Sequence, residues 1–208
     1  MDPAEASRLP GALPLFPLRT VLFPGGLMPL RVFEQRYIEM TKTCVRDGRA
    51  FGVCLLTRGN EVMREGGADL AAVRFATIGT TATITDWDTR DGVLHLRTVG
   101  GTRFRIESHA MEQDGRFVGT VRPLPPEASM ALSPAHAPLA RLLEALATKL
   151  GPTQFPDRHA FDDVSWVGYR LAELLPLPLE IKQNMLEIND GEIRLAVLAR
   201  FLDQHGLI

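Results

Sequence analysis

The side chains able to do chemistry are few in this chain of 208 residues, and their spacing does not bring them into a recognisable reactive set. His95, His109, His136, His159 and His205 are scattered, without the paired intervals that metal ligands need. His159 with Asp162 and Asp163 comes nearest to a cluster, and helix capping by the aspartates accounts for it more simply. The segment DWDTRDG, Asp86 to Gly92, has the look of a calcium loop. Its glycine falls one position late, Arg90 occupies a ligand position, and no closing glutamate follows, so it is read as a hairpin turn. Neither a G-x-x-x-x-G-K-[ST] phosphate loop nor a G-x-S-x-G nucleophile elbow occurs. The expectation is therefore a protein without enzymatic activity, metal or cofactor. What remains is recognition chemistry: Arg19, Arg31, Arg36 and Phe33 lie among prolines and aromatics, a make-up common to binding surfaces. The same arginines admit a plainer account, in which Glu34 and Glu39 pair with them to orient a helix.

The elements that position these residues are densest between Ala12 and Met40. Leu13 and Leu15, then Val21 and Phe23, then Met28, Leu30 and Val32 alternate with the period of half-buried strands. Pro14, Pro17, Pro24 and Pro29 cannot donate to a ladder, so these strands are expected to be short and bent, with a turn at Pro24-Gly25-Gly26. Phe16, Phe23 and Phe33 are expected in the core, with one of them partly exposed. From Glu34 the period becomes helical through Tyr37, Met40, Cys44 and Val45, with Gly48 placed as a left-handed cap. The opening thus reads β-β-β-α.

Beyond it, Ala50 to Leu56 is apolar on both alternating faces and reads as a central strand, and Thr57 to Gly67 as an exposed loop. Val73 to Thr85 predicts one long strand, VLHLRTV a second, TRFRIES a third after a reversal at Gly100-Gly101, and Gly115 to Val121 a last one. Five prolines between Pro123 and Pro138 mark the change to helical pattern. Four helices should follow: one with Leu139, Leu142, Leu143, Leu146 and Leu150 inward, ending at Gly151; one capped by Asp162 or Asp163; one marked by Ile181, Met185 and Ile188; and one capped by Asp190 with Ile193, Val197, Phe201 and Leu202 inward. Cys44 and Cys54 are expected as buried, reduced thiols.

LPLFPL, then VLFPG, then MPL-R-VFEQRY resembles the opening of the N-terminal substrate-recognition domain of Lon (La) ATP-dependent proteases. IGTTATI, VGGTRFRI and LLPLPLEIKQNMLEIND extend the resemblance over roughly residues 12 to 203. It implies an α+β fold: a bent, partly closed, PUA-like β domain with one early helix over residues 1–123, then a helical bundle over 124–208. It also implies a non-catalytic module for protein quality control, with unfolded or exposed polypeptide segments as partners, alongside a separate protease or chaperone. The lysines, Lys42, Lys149 and Lys182, lie outside the family's catalytic Ser-Lys motif, and the sequence reads as the recognition domain standing alone.

PUA-like barrels also occur in RNA-modifying proteins, which makes RNA binding the alternative. Charge argues against it: residues 1–123 carry 16 basic and 14 acidic side chains, and residues 124–208 carry 7 and 11, so neither half has the basic excess of a phosphate-binding surface. No apolar run reaches the length of a membrane helix and the N-terminus lacks a signal core, so a cytoplasmic protein is expected.

Overall fold

A computed structural model describes residues 12–59, 73–151, 155–156 and 159–207. Most of the loop expected at Thr57 to Gly67 lies outside the described residues. The chain divides into two compact units, one taking Met28–Pro125 with the chain up to Pro24, the other taking Gly25–Leu27 with Pro126 onward.

The first unit is a barrel. Its strands are β1 (Leu13–Leu18), β2 (Leu27–Val32), β3 (Phe51–Arg58), β4 (Arg74–Arg90), β5 (Val93–Met111) and β6 (Phe117–Pro123), with α1 (Gln35–Asp47) between β2 and β3. β1 pairs parallel with β3 and antiparallel with β6, and β3–β4, β4–β5 and β5–β6 are antiparallel, so five strands close a ring. β2 lies outside the ring with β5 as its neighbour.

Alternation sorts the apolar side chains into two clusters. Phe16, Leu18, Phe51 and Val53 meet Tyr37, Met40 and Cys44 of α1 on one face. Leu13, Leu15 and Cys54 meet Phe104, Ile106 and Phe117 on the other. β1 and β3 are thus buried on both faces, which is why β3 reads as an uninterrupted apolar run. Burial raises the Cys44 thiol to about 11 and pushes Cys54 up as well, so both free cysteines are neutral, inert core residues.

Three elements depart from the sequence reading. The opening has two strands rather than three: Val21, Leu22 and Phe23 are buried but form no ladder. Their backbone instead runs against β5, where a Cβ on Gly100 would collide with the Phe23 carbonyl. Accordingly Gly100-Gly101 does not reverse the chain, and β5 is one strand of 19 residues. The pairings Thr80↔Arg103 and Ala82↔Gly100 set Gly101 and Thr102 of β5 against Thr81 alone, a bulge in β5 that begins at the second glycine. The hairpin expected over Asp86 to Gly92 contracts to Asp91-Gly92, both at positive φ (52° and 74°), the two-residue turn whose twist suits flanking strands.

The second unit holds a 3-10 turn (Pro134–His136), α2 (Ala137–Leu150), α3 (Val164–Leu174), α4 (Leu179–Glu187) and α5 (Gly191–Gln204). Asp163 caps α3 by accepting from Trp166 N at 2.7 Å, and Asp190 caps α5 by accepting from Glu192 N and Ile193 N at 2.9 and 3.2 Å. The inward face of α5 differs in part from the expected one: Leu202 is buried as expected, but Ile193 and Val197 are 55% and 42% exposed, while Leu195 and Leu198 are buried together with Arg194. Likewise Ile181 of α4 faces outward, and Gln183, Met185 and Leu186 face inward.

Glu127 explains the rotation of α5. Its carboxylate accepts hydrogen bonds from Ser165 (2.7 Å), from Tyr169, and from both Nη atoms of Arg194 (2.5 and 2.9 Å). Arg194 also donates to the carbonyls of Met185 and Ile188 and lies 3.9 Å over the Tyr169 ring. With each partner satisfied, a buried arginine becomes tolerable, and the leucines flanking it turn inward with it.

Candidate polypeptide-binding surface on the barrel

β2 sits at the limit of the pairing order, and among the described residues no strand pairs with its outer edge. Within β2, Met28 and Val32 are buried while Pro29 and Arg31 are exposed. Thr98 of β5 donates to the Met28 carbonyl at 2.8 Å, holding the strand on its inner side. Pro29 removes one donor from the strand, which blunts it against unrestricted strand addition.

Beside β2 rises the end of the β4–β5 hairpin, paired as Asp86↔Arg97, Trp87↔Leu96 and Asp88↔His95. Trp87 is 54% exposed. Between them lies a groove of about 410 Å³ lined by Pro29, Leu30, Arg31, Trp87, His95, Leu96 and the charged side chains Asp86, Asp88, Arg90 and Arg97. Arg90 pairs with Asp88 at 2.6 Å and Arg97 with Asp86 at 3.9 Å. The hydrogen bond from Arg90 holds the Asp88 carboxyl below its ordinary value. Among the described residues no carboxylate pairs with Arg31. Its guanidinium is the cation available to a ligand's carbonyls.

Arg31 also borders a recess of about 60 Å³ with Phe16, Leu18, Val32, Phe33, Glu34 and Tyr37. Phe33 is 55% exposed there, whereas Phe16 and Phe23 are core. Of the four residues singled out from sequence, Arg31 and Phe33 thus share one surface. Arg19 is exposed, donates to the Gly59 carbonyl at 2.9 Å, and lines neither hollow. Arg36 is buried, 8% exposed: it donates to the Gly115 carbonyl at 2.8 Å, pairs with Glu34 at 3.0 Å and lies 4.5 Å from the Tyr37 ring centre. For Arg36 the plainer account of local pairing describes its geometry, and it anchors the start of α1 to the β5–β6 connection. Trp87 is hidden in the sequence because Asp86 to Gly92 reads as a turn. A tryptophan between two aspartates in strand alternation is the signal that identifies it as a surface aromatic.

A family profile described as the ATP-dependent protease La (LON) substrate-binding domain matches residues 12–204. The chain belongs to that family. A Lon N-terminal domain protein from Xanthomonas campestris superposes with a TM-score of 0.71 at 38% identity, over 91% of this chain and 97% of that one. The N-terminal domain of a Mycobacterium avium complex Lon protease shares the fold at 15% identity, with a TM-score of 0.61 over 93% of this chain and 99% of that one. Lon protease 2 of Myxococcus xanthus is 28% identical over 204 residues, which are 94% of this chain and 24% of that protein. The Lon protease of Anaeromyxobacter dehalogenans (strain 2CP-C) is 42% identical over 77 residues, or 36% and 8%. The chain therefore spans a quarter or less of the length of these two proteases.

Proposed function

We propose that this chain is a non-catalytic polypeptide-recognition module of cytoplasmic protein quality control, which takes extended or unfolded segments and works with ATP-dependent proteolytic machinery. The observation that carries this reading is the juxtaposition of the outer edge of β2, unpaired among the described residues, with exposed Phe33, Trp87 and Arg31. An extended segment adding to β2 would bond backbone to backbone. It would set apolar side chains against Phe33 and Trp87, and carbonyls before Arg31. Because Pro29 interrupts the edge and ordering a flexible chain costs free energy, affinity should be modest.

The test is fluorescence anisotropy with a carboxymethylated, permanently unfolded protein and with an uncharged apolar decapeptide. Arg31→Ala, Phe33→Ala and Trp87→Ala are each expected to weaken binding about five- to tenfold, the size of a contact residue at an interface. The melting temperature should hold, since all three side chains are exposed. Unchanged binding across the three variants would refute the site. A salt-resistant, sub-micromolar complex with a defined RNA would replace the reading by the nucleic-acid one.

Absence of catalysis is a separate expectation. The purified chain should leave ATP and casein unchanged over hours, as a sequence without a phosphate loop implies. Nucleotide turnover that co-purifies with the chain through two columns would contradict it.

A further inference from the structure

The groove beside β2 carries an odd positive charge. The strands that wall it, β2, β4 and β5, are described without interruption. Its described lining sets three arginines, Arg31, Arg90 and Arg97, against two aspartates, Asp86 and Asp88. Each aspartate is matched by one arginine: Asp88 by Arg90 at 2.6 Å, and Asp86 by Arg97 at 3.9 Å, directly across the strand pair. Arg31 is the remainder. It is exposed on β2, and Glu34, three residues on, is already paired with Arg36 at 3.0 Å. His95, whether neutral or cationic, adds nothing to the negative side. Charge over residues 1–123 has the same sign, +2 from 16 basic and 14 acidic side chains. Size is the second constraint. At about 410 Å³ the groove has room for an aromatic ring against Trp87 with another side chain beside it, since a cavity of about 150 Å³ houses benzene. The neighbouring recess, about 60 Å³, is too small for a ring.

Resting on the proposed addition of an extended segment to β2, we infer that the groove selects segments in which an acidic side chain stands two residues from an aromatic one. The aromatic ring packs against Trp87, and the carboxylate accepts two parallel hydrogen bonds from the Arg31 guanidinium. Both side chains enter one groove, so they lie on the same face of the extended segment, which is the i, i+2 spacing. A basic side chain in the acidic position meets Arg31 as a like charge and is rejected. The preference is a modest one, because Arg31 is exposed and salt screens it.

Trp87 and Trp166 are the two tryptophans of the chain, so Trp166→Phe leaves Trp87 as a label-free reporter in the groove. The probe is acetyl-Gly-Ser-Phe-Thr-Glu-Thr-Gly-Ser-amide, titrated against matched peptides with glutamine or lysine in place of glutamate, and against one with the glutamate moved next to the phenylalanine. The first peptide is expected to bind about fivefold more tightly than the glutamine and displaced-glutamate peptides, and the lysine peptide more weakly than either. The glutamate preference should shrink towards none between about 50 and 500 mM salt. Arg31→Gln should equalise the glutamate and glutamine peptides, and Arg31→Glu should reverse the order so that the lysine peptide binds best. Equal affinity for the glutamate and glutamine peptides, or a glutamate preference that survives in Arg31→Glu, would overturn the selection while leaving polypeptide binding at β2 standing. So would no Trp87 response to any peptide up to about 5 mM in a protein that still binds the carboxymethylated chain. Failure to bind that chain as well would overturn both.

Discussion

Glu127→Gln is expected to lower the unfolding free energy of the helical unit by about 3–5 kcal/mol, the cost of leaving a buried cation without its counter-charge. Arg194 is fully buried, the Glu127 side chain is 5% exposed, and the amide can neither neutralise the guanidinium nor accept from all four of its present donors. Replacing both, as Glu127→Leu with Arg194→Met, should cost less than either single change, because no charge is then stranded. The pH dependence has a definite sign. Burial alone would raise the Glu127 carboxyl, but hydrogen bonds from Arg194, Tyr169 and Ser165 outweigh it and hold the group at about 2, below its ordinary 4.5. The folded state therefore binds this proton less readily than the unfolded chain. Its contribution is fully present above pH 4.5 and is lost as the pH falls through 2, roughly 3 kcal/mol for a shift of about 2.5 pH units. Urea titrations at pH 6, 4 and 2.5, followed by Trp166 in a Trp87→Phe background, measure both effects. A Glu127→Gln midpoint within error of the parent, or one retaining the same slope between pH 4 and 2.5, would show that the network contributes nothing net.

That network also marks where the sequence could be read and where it could not. The caps Gly48, Asp163 and Asp190 were legible because each is a local bargain between one side chain or one φ and the next turn of helix. The inward face of α5 was not. Ile193, Val197, Phe201 and Leu202 form as good an apolar stripe as Leu195, Leu198 and Leu202, and Arg194 argues for the first choice when arginine is counted as polar. What reverses the choice is Glu127, which lies 67 positions away and cannot be seen from any helical window. The candidate surface shows the same division. Exposure of Arg31 follows from strand alternation within β2, but exposure of Phe33 depends on where β2 ends and α1 begins. Its association with Trp87 depends on β4 continuing to Arg90 rather than turning at Asp86. The edge position of β2 is a property of the ring that closes without it, and no single strand encodes that.

The glycine pair in β5 separates two physical reasons for glycine that look alike in a sequence. A reversal at Gly100-Gly101 would need left-handed backbone, but both residues lie in continuous strand and neither is among the positive-φ glycines. Gly100 is required by proximity: an added Cβ would run into the Phe23 carbonyl and would also stand 3.0 Å from Phe23 C and 3.1 Å from Leu22 Cγ. Those are backbone and packed-core atoms that cannot swing away, so Gly100→Ala is expected to destabilise the barrel by about 3 kcal/mol, at the upper end of overpacking costs. At Gly101 the added Cβ meets Thr81 Oγ1 at 2.6 Å, a side-chain atom that can rotate and lose only its hydrogen bond from Thr102 N. Gly101→Ala should therefore cost about 1 kcal/mol. Gly92, at φ 74° with open space around its Cβ position, supplies the comparison for conformational strain alone, again about 1 kcal/mol. Urea unfolding followed by Trp87 in a Trp166→Phe background orders the three substitutions. Costs that fall Gly100 well above Gly101 and Gly92 are the expected result. Equal costs at Gly100 and Gly92 would mean that the Phe23 segment gives way easily, and that its seat against β5 is not what fixes the path of the chain into β2.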